Sequence, residues 1–166
     1  TLASSSAASD VYKRQIKFVA NKKLVNTSHE FKSIESAQNC SIAKALFNHD
    51  FISELYIDFN FISITIKKEN SWDKHIMEIR EFILSYIRDG NEIIDSKFDI
   101  ENDKNESIDF ENMDEISKEI AKLIDDQIKP AVASDGGNIL FQSYDSNSKE
   151  VKVILQGACS GCPSST

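Results

Sequence analysis

Two cysteines near the end of the sequence have the spacing that metal-binding and redox sites use. Cys159 and Cys162 are separated by two residues. The thiolate form of cysteine is both a nucleophile and a metal ligand. Pro163 suits the first turn of a helix, so the positive end of a helix dipole would lie beside Cys162 and lower the pKa of its thiol. Gly157 and Gly161 permit the positive φ angles that a loop around a large ligand requires.

Counting ligands indicates how this pair would hold a metal. A 2Fe-2S or 4Fe-4S cluster usually takes four thiolates, whereas this chain has two close together and a third, Cys40, far away in sequence. A symmetric dimer in which each subunit contributes Cys159 and Cys162 would complete the set. Four thiolates also suit Zn²⁺. The spacing therefore leaves an iron-sulfur cluster and a zinc site open, each shared between two chains.

A dithiol oxidoreductase is a further alternative, because thioredoxin-like proteins also place a Cys-x-x-Cys pair between a strand and a helix. The elements that follow the acidic part of the chain are a helix and two strands. They are too few for a thioredoxin-like sheet, which disfavours this alternative.

The remaining reactive side chains are assigned structural roles. His29, His49 and His75 are scattered without ligand spacing and are interpreted as surface or packing residues. Cys40 is expected at a packing or capping position, and Asp135 in a tight turn. The sequence has no phosphate-binding glycine loop and no nucleophile with a recognisable base, so no catalytic residue is predicted and the protein is not expected to be an enzyme.

Composition excludes several classes of function. The net charge of the 166 residues is −8, which disfavours a nucleic-acid surface because phosphate binding requires clustered Lys and Arg. The acidity is concentrated between Asp95 and Glu115, where nine acids face two bases. The longest apolar runs fall short of the roughly 18 residues of a membrane span. An odd number of cysteines does not suggest a disulfide framework and favours a reducing compartment.

Periodicity predicts an α+β fold of two small domains, each with a small sheet packed on helices. Residues 1–15, rich in small polar side chains, are predicted to be a non-native or disordered extension. The first domain is predicted at residues 16–91, an acidic flexible linker at 92–111, and the second domain at 112–166. In the first domain the predicted elements are a strand at 16–20, which Leu24 and Val25 continue or pair with, a helix at 40–47, a hairpin at 54–58 and 61–66, and a helix from Ser71 to Gly90 with Trp72 in the core. In the second domain they are a helix that Pro130 ends or kinks, followed by strands at 138–144 and 150–155. The apolar stripe of that helix consists of Met113, Ile116, Ile120, Leu123, Ile124 and Ile128.

The order of these features resembles a known family. The turn Asp135-Gly136-Gly137, the two strands and the cysteine segment are similar to the C-terminal domain of the NifU and Nfu family of iron-sulfur scaffold proteins. Phe18, the run 43–47, Phe61, Ile62 and Trp72 are similar to the N-terminal domain that accompanies it in mitochondrial and alphaproteobacterial members. Two features depart from the family pattern: Cys40-Ser41 replaces a more usual Ser-Pro, and a final helix expected after Thr166 is missing.

The resemblance implies assembly or carriage of a 4Fe-4S cluster, in preference to 2Fe-2S. It carries over Cys159 and Cys162 as the ligands, and the ligand count adds the expectation of a homodimer joined through the cluster. The cluster would come from upstream assembly proteins and pass to apo iron-sulfur enzymes. The implied location is the bacterial cytoplasm or the mitochondrial matrix, without nucleic-acid or membrane partners. The first domain, which carries no visible chemistry, is interpreted as a docking module for donors or recipients.

Overall fold

The computed structural model describes the backbone of residues 3–5 and the whole of residues 14–100 and 113–157. The chain divides into two compact units, Thr1–Asn105 and Glu106–Thr166. Each unit combines helices with its own sheet, so the fold class is α+β. In chain order the elements are β1 (Ala3–Ser5), β2 (Gln15–Val19), β3 (His29–Phe31), α1 (Ser41–Phe47), β4 (Ile52–Asp58), β5 (Phe61–Ile66), a 3-10 helix (Trp72–Lys74), α2 (Ile76–Arg88), α3 (Glu115–Leu123), a π-helix (Ile124–Ile128), α4 (Lys129–Ser134), β6 (Gly137–Asp145) and β7 (Glu150–Gly157).

The sheet of the first unit has the strand order β1-β2-β5-β4-β3, with every neighbouring pair antiparallel. The predicted hairpin is confirmed: β4 and β5 are joined by a two-residue turn in which Phe59 has a positive φ of 38°. Since side chains alternate along a strand, one face collects the apolar residues. Phe18, Ile62 and Ile57 are paired across three strands on this face, and all three are buried.

Two helices cover this face of the sheet. Ile42, Ala43 and Leu46 of α1 are buried, and so are Ile79 and Ile83, one turn apart on α2. Fully burying each isoleucine contributes on the order of 1.5–3 kcal/mol. Together with the strand residues these side chains form the core of the first unit.

The long helix predicted from Ser71 begins differently from the expectation. A 3-10 turn starts at Trp72, and α2 begins only at Ile76. The reason is long-range: the buried Trp72 indole donates a hydrogen bond of 2.9 Å from Nε1 to the carbonyl of Arg14, which fixes this turn against the sheet. The predicted stop at Gly90 is confirmed, since Gly90 follows the helix with a φ of 76°.

Residues 1–15 were predicted to be non-native or disordered, and disorder is not what the structure shows at Ala3–Ser5 and Gln15. Ala3–Ser5 pairs with β2 as an edge strand, and Gln15 belongs to β2 itself. The carbonyl of Arg14 also accepts a hydrogen bond of 2.8 Å from the amide of Ile66. An edge strand is held by backbone hydrogen bonds, so small polar side chains do not prevent it. The other residues of this predicted extension, 1–2 and 6–13, lie outside the described part of the chain.

Two short segments beside the sheet also differ from the prediction. Leu24 and Val25 form no strand; they are buried, and their amides lie 2.6 and 3.3 Å from the carbonyl of Phe59. Strand β3, which pairs with β4, was not predicted from the sequence. At three residues it is too short to show a period.

The first part of the predicted acidic linker is packed on the first unit. Ile94 and Asp99 are buried, and residues 96–100 are helical. A solvated, flexible linker is therefore not what the structure shows at residues 93–100, which are hydrogen-bonded to the first unit or helical. The acidic composition of the segment indicated solvation, but the carboxylate of Asp99 is hydrogen-bonded inside the unit. Residues 101–111 lie outside the described residues.

The second unit packs one helical run against the β6–β7 hairpin. Its core contains Ala121, Ile124, Ile139 and Phe141. The prediction was that Pro130 ends or kinks the helix, and an end at Pro130 is wrong: α3 passes into a π-helix, and α4 continues from Lys129 to Ser134 with Pro130 in its first turn. The first turn of a helix tolerates a proline, because the amide that proline lacks would have no partner inside that helix.

The predicted apolar stripe of this helix is only partly buried. Ile124 is 4% exposed, but Ile116 and Leu123 are 52% and 56% exposed. Ala121, which the prediction did not include, takes a buried position instead. In the described ranges of the chain, we find no helix with the length and apolar character needed to cross a membrane.

Candidate metal centre

The two predicted metal ligands, Cys159 and Cys162, lie outside the described residues, and so does Gly161. The structure does describe the hairpin that leads into them. Strand β7 ends at Gly157, which is paired with Gly137 at the start of β6. Cys159 follows this paired end of β7 by two residues in the sequence.

The turn that precedes β6 is the predicted Asp135-Gly136-Gly137 turn. The amide of Asp135 donates to the carbonyl of Val132 at 3.2 Å, and the amide of Gly136 donates to that of Ala133 at 3.1 Å. Gly136 has a φ of 84°, in the region that glycine adopts readily. Asp135 is exposed in this turn, and the interpretation of it as a turn residue is confirmed.

Gly157 is the last described residue before the cysteines, and its φ is 62°. This is the left-handed region, in which a residue with a Cβ is strained by roughly 1–2 kcal/mol. The prediction of a positive φ at Gly157 is confirmed. The last described residue before the cysteine segment therefore has a backbone conformation that favours glycine.

A buried amide network fastens the hairpin next to this exit. The side chain of Asn138, 3% exposed, donates from Nδ2 to Oε1 of Gln156 at 3.0 Å, and its Oδ1 accepts from the amide of Ile139 at 2.9 Å. Asn138 and Gln156 are also paired residues of the two strands. Sequence reasoning missed this pair. The available signal was two polar amides at the ends of otherwise apolar strands, next to glycines.

The third cysteine is unsuited to metal binding. Cys40 is completely buried at the N-cap position of α1, and its Sγ donates to the carbonyl of Ile93 at 3.3 Å. Burial raises the pKa of the Cys40 thiol to about 12, because a thiolate would lose its hydration there. Since the thiolate is the ligand form, Cys40 is a packing and capping residue, as predicted.

The three histidines occupy structural positions, although two of them are closer together than the sequence suggested. His29 is buried against Asp99. His49 and His75 each place Nδ1 3.5 Å from a different oxygen of Glu78. The ring of His75 also stacks on Phe51, with centroids 3.7 Å apart. Within residues 14–100 and 113–157 there is no group of three or more His, Cys, Asp and Glu side chains arranged to hold a metal.

Two protein-family models together match most of the chain. The family model described as "Scaffold protein Nfu/NifU N terminal" matches residues 13–90. The model described as "NifU-like domain" matches residues 120–166, which include both cysteines of the pair. The chain belongs to the NifU and Nfu family. The resemblance inferred from the sequence is thereby confirmed for both parts of the chain.

Curated relatives match most of the length of this chain. "NifU-like protein 4, mitochondrial" of Arabidopsis thaliana is 32% identical over 84% of this chain and 48% of its own length. "NFU1 iron-sulfur cluster scaffold homolog, mitochondrial" of Drosophila willistoni is 32% identical over 83% of this chain and 46% of its own length. "NifU-like protein 5, mitochondrial" of Arabidopsis thaliana is 30% identical over 84% and 50%. The chain spans about half the length of the curated relatives it matches.

If both bind, Cys159 and Cys162 would provide two of the four thiolates that an iron-sulfur cluster usually takes. Cys40 cannot supply a third, because its thiol is buried and donates its proton to a backbone carbonyl.

Proposed function

We propose that this protein is an iron-sulfur cluster scaffold and carrier. Two subunits hold one cluster through Cys159 and Cys162, and the cluster is then transferred to apo iron-sulfur proteins. The observation that carries the proposal is the match of residues 120–166, with both cysteines, to the NifU-like domain. The name of the Drosophila willistoni relative, which describes an iron-sulfur cluster scaffold homolog, supports it.

The half-set of ligands supports the shared site. With two thiolates in each chain, a second copy is the simplest source of the other two, and a two-fold axis would pass through the cluster. We favour 4Fe-4S over 2Fe-2S on the family resemblance, since both types take four thiolates. The cluster is cargo in this proposal, and the protein is not an enzyme.

A cluster site shared by two subunits also favours release of the cluster. Separation of the two subunits removes half of the ligands at once, so the cluster can leave without a change inside either fold. A cluster held by four cysteines of one chain would lack this route. The proposed donors are upstream cluster-assembly proteins, and the proposed recipients are apo iron-sulfur enzymes, in the bacterial cytoplasm or the mitochondrial matrix.

The first unit is proposed to dock donors or recipients. Its thiol is buried, and its histidines are held by carboxylates and aromatic rings. It is joined covalently to the unit with the cysteine pair, so binding of a partner there would raise the local concentration of the cluster beside that partner.

The test is metal analysis of the full-length protein purified without oxygen. Iron and acid-labile sulfide in equal amounts support the proposal, together with transfer of activity to an apo 4Fe-4S enzyme. Cys159→Ser and Cys162→Ser should each abolish the iron, whereas Cys40→Ser, the matched control, should keep it. Zinc with no sulfide would instead indicate a bridging zinc site. A metal-free protein with a reversible disulfide would indicate a dithiol redox protein.

A further inference from the structure

Residues 93–100 run across the surface of the first unit and are tied to it at several points. The carbonyl of Ile93 accepts hydrogen bonds from the amide of Ile42 at 3.2 Å and from Sγ of Cys40 at 3.3 Å. The amide of Asp95 donates to the carbonyl of Asn39 at 2.8 Å. Between these points, Ile94 is buried in the core of the unit. The segment therefore closes over the N-terminal end of α1.

The second half of this segment is a capped helical turn. The carboxylate of Asp95 accepts from the amides of Lys97 and Phe98 at 2.9 and 3.2 Å. This is the N-cap arrangement, in which a side-chain oxygen satisfies amides of the first turn. The turn directs Phe98 and Asp99 toward the unit: the ring of Phe98 stacks on that of His29, with centroids 5.4 Å apart.

The carboxylate of Asp99 makes the strongest of these attachments. Its Oδ2 accepts from the amide of Asn26 at 2.8 Å and from Nδ2 of Asn26 at 2.7 Å. Its Oδ1 accepts from the amide and the hydroxyl of Thr27, both at 3.1 Å, and lies 2.9 Å from Nε2 of His29. Asp99 is 3% exposed. A buried carboxylate is costly unless it is hydrogen-bonded in this way.

The Thr27, His29 and Asp99 side chains superficially resemble a catalytic set, but their geometry excludes a proton relay. The hydroxyl of Thr27 and the carboxylate of Asp99 both approach the same nitrogen, Nε2 of His29, at 3.0 and 2.9 Å. A relay needs the base to use its two nitrogens separately. The cluster is therefore an attachment point.

We propose that residues 93–100 are a strap that fastens the connection between the two units to the first unit, with Asp99 as its latch. The strap lies between the residues matched by the two family models. The latch itself does not depend on the proposed function. Its consequence for cluster transfer does rest on that function, because the strap sets how far the unit with Cys159 and Cys162 can move from a partner docked on the first unit.

The effect on reach follows from chain length. From Ile100 to Asp114, the N-cap of α3, the chain has roughly 14 residues and spans at most about 50 Å when fully extended. If residues 93–100 leave the first unit, the distance is counted from Asn91, and the covalent limit rises to about 80 Å for roughly 23 residues. A longer connection lowers the effective concentration of one unit at the other.

The test is amide hydrogen exchange of the full-length chain, read by mass spectrometry on peptides that cover residues 93–100. Asp99→Ala should accelerate exchange there by more than about tenfold. Asn26 is exposed, and Asn26→Ala removes the hydrogen bond from its Nδ2 to Asp99. This variant should accelerate exchange of residues 93–100 by about fivefold. Glu92→Ala is the control, because it removes one negative charge, as Asp99→Ala does, but from an exposed side chain beside the strap. In this variant the amides of residues 93–100 should exchange at the rate of the unchanged protein.

Exchange in α2 and in the β4–β5 hairpin should stay slow in all variants if the strap opens by itself. Unchanged exchange of residues 93–100 in Asp99→Ala and Asn26→Ala would overturn the proposal. If Asp99→Ala unfolds the whole unit, Asn26→Ala decides, because local acceleration supports the strap and its absence overturns it. Iron and sulfide are measured on the same samples: a protein without a cluster would overturn the proposed function while the exchange result still decides the strap.

Discussion

Nε2 of His29 lies 2.9 Å from Oδ1 of Asp99, and both side chains are at least 96% buried. The two residues are 70 positions apart in the sequence. Their contact joins the edge strand β3 to a segment whose composition predicts a solvated linker. The contact therefore places the end of the first unit at least eight residues beyond Asn91, its predicted boundary.

The first prediction concerns acid stability. Burial alone would raise the pKa of Asp99, but hydrogen bonds from His29, Asn26 and Thr27 outweigh it and hold the pKa at about 2, below the ordinary value of 3.8. Because the pKa is lower in the folded state, the carboxylate stabilises the fold above about pH 4. This stabilisation, on the order of 1–2 kcal/mol, is lost as the pH falls from about 4 to 2.

Denaturant unfolding of the unchanged protein and Asp99→Asn between pH 2 and 7 checks this. The difference in unfolding free energy should be largest at neutral pH and shrink toward pH 2. Asp89→Asn is the control, since the Asp89 side chain is 59% exposed beside Arg88, and should show little difference at any pH. A constant difference for Asp99→Asn across the range would contradict the prediction.

The second prediction concerns thiol reactivity. Burial raises the pKa of Cys40 to about 12, so its thiol should stay protonated and resist alkylation by iodoacetamide in the folded protein at pH 8. Mass spectrometry of the labelled peptides should show modification of Cys40 only after unfolding. Rapid labelling of Cys40 in the native, cluster-free protein would show that the α1 cap is open to solvent.

The third prediction concerns Gly157, at the C-terminal end of β7. Gly157→Ala places a Cβ on a residue with a φ of 62°, which should cost roughly 1–2 kcal/mol and shift the start of the cysteine segment. We expect less cluster per chain in this variant. Gly90→Ala is the matched control, because Gly90 has a φ of 76° and no atom within 4 Å of the added Cβ.

Gly90→Ala should therefore strain the backbone of the first unit by a similar amount without changing the iron content. Iron and sulfide per chain, measured after reconstitution under argon, compare the two variants. Equal cluster content in Gly157→Ala and Gly90→Ala would show that the positive φ at Gly157 has no part in forming the site.

The fourth prediction concerns the first unit. A protein that lacks residues 1–105 should still assemble the cluster, because the cysteine pair belongs to the other unit. Transfer to a recipient enzyme should be slower, since the proposed docking module is gone. The comparison is the rate at which an apo enzyme regains activity from equal amounts of cluster. Equal rates would contradict the docking role.

Local signals in the sequence were sufficient for much of the fold. The β4–β5 and β6–β7 hairpins and the helix after Cys40 were predicted because their apolar periods and turn residues are close together in sequence. The glycine turn at Asp135 and the positive φ of Gly157 follow from the same kind of signal.

The features that the sequence did not predict depend on contacts between distant segments. An aspartate in an acidic stretch is predicted to have a solvent-exposed side chain. No residue near Asp99 in the sequence indicates that Asn26, Thr27 and His29 will hydrogen-bond to it. Likewise, the hydrogen bond from the Trp72 indole to the carbonyl of Arg14 holds the 3-10 turn in place. The apolar period of the sequence there is regular, so it predicted one uninterrupted helix. The proximity of His49 and His75 at Glu78 also arises only when the loop before β4 packs on α2.

The central claim is that each chain supplies half of a cluster site through Cys159 and Cys162. The most direct measurement is the mass of the intact full-length protein in native mass spectrometry, after reconstitution with iron and sulfide under argon. We predict a dimer with the added mass of one cluster, and no such species for Cys159→Ser or Cys162→Ser. A monomer that carries a complete cluster, or a dimer that carries none, would contradict the account.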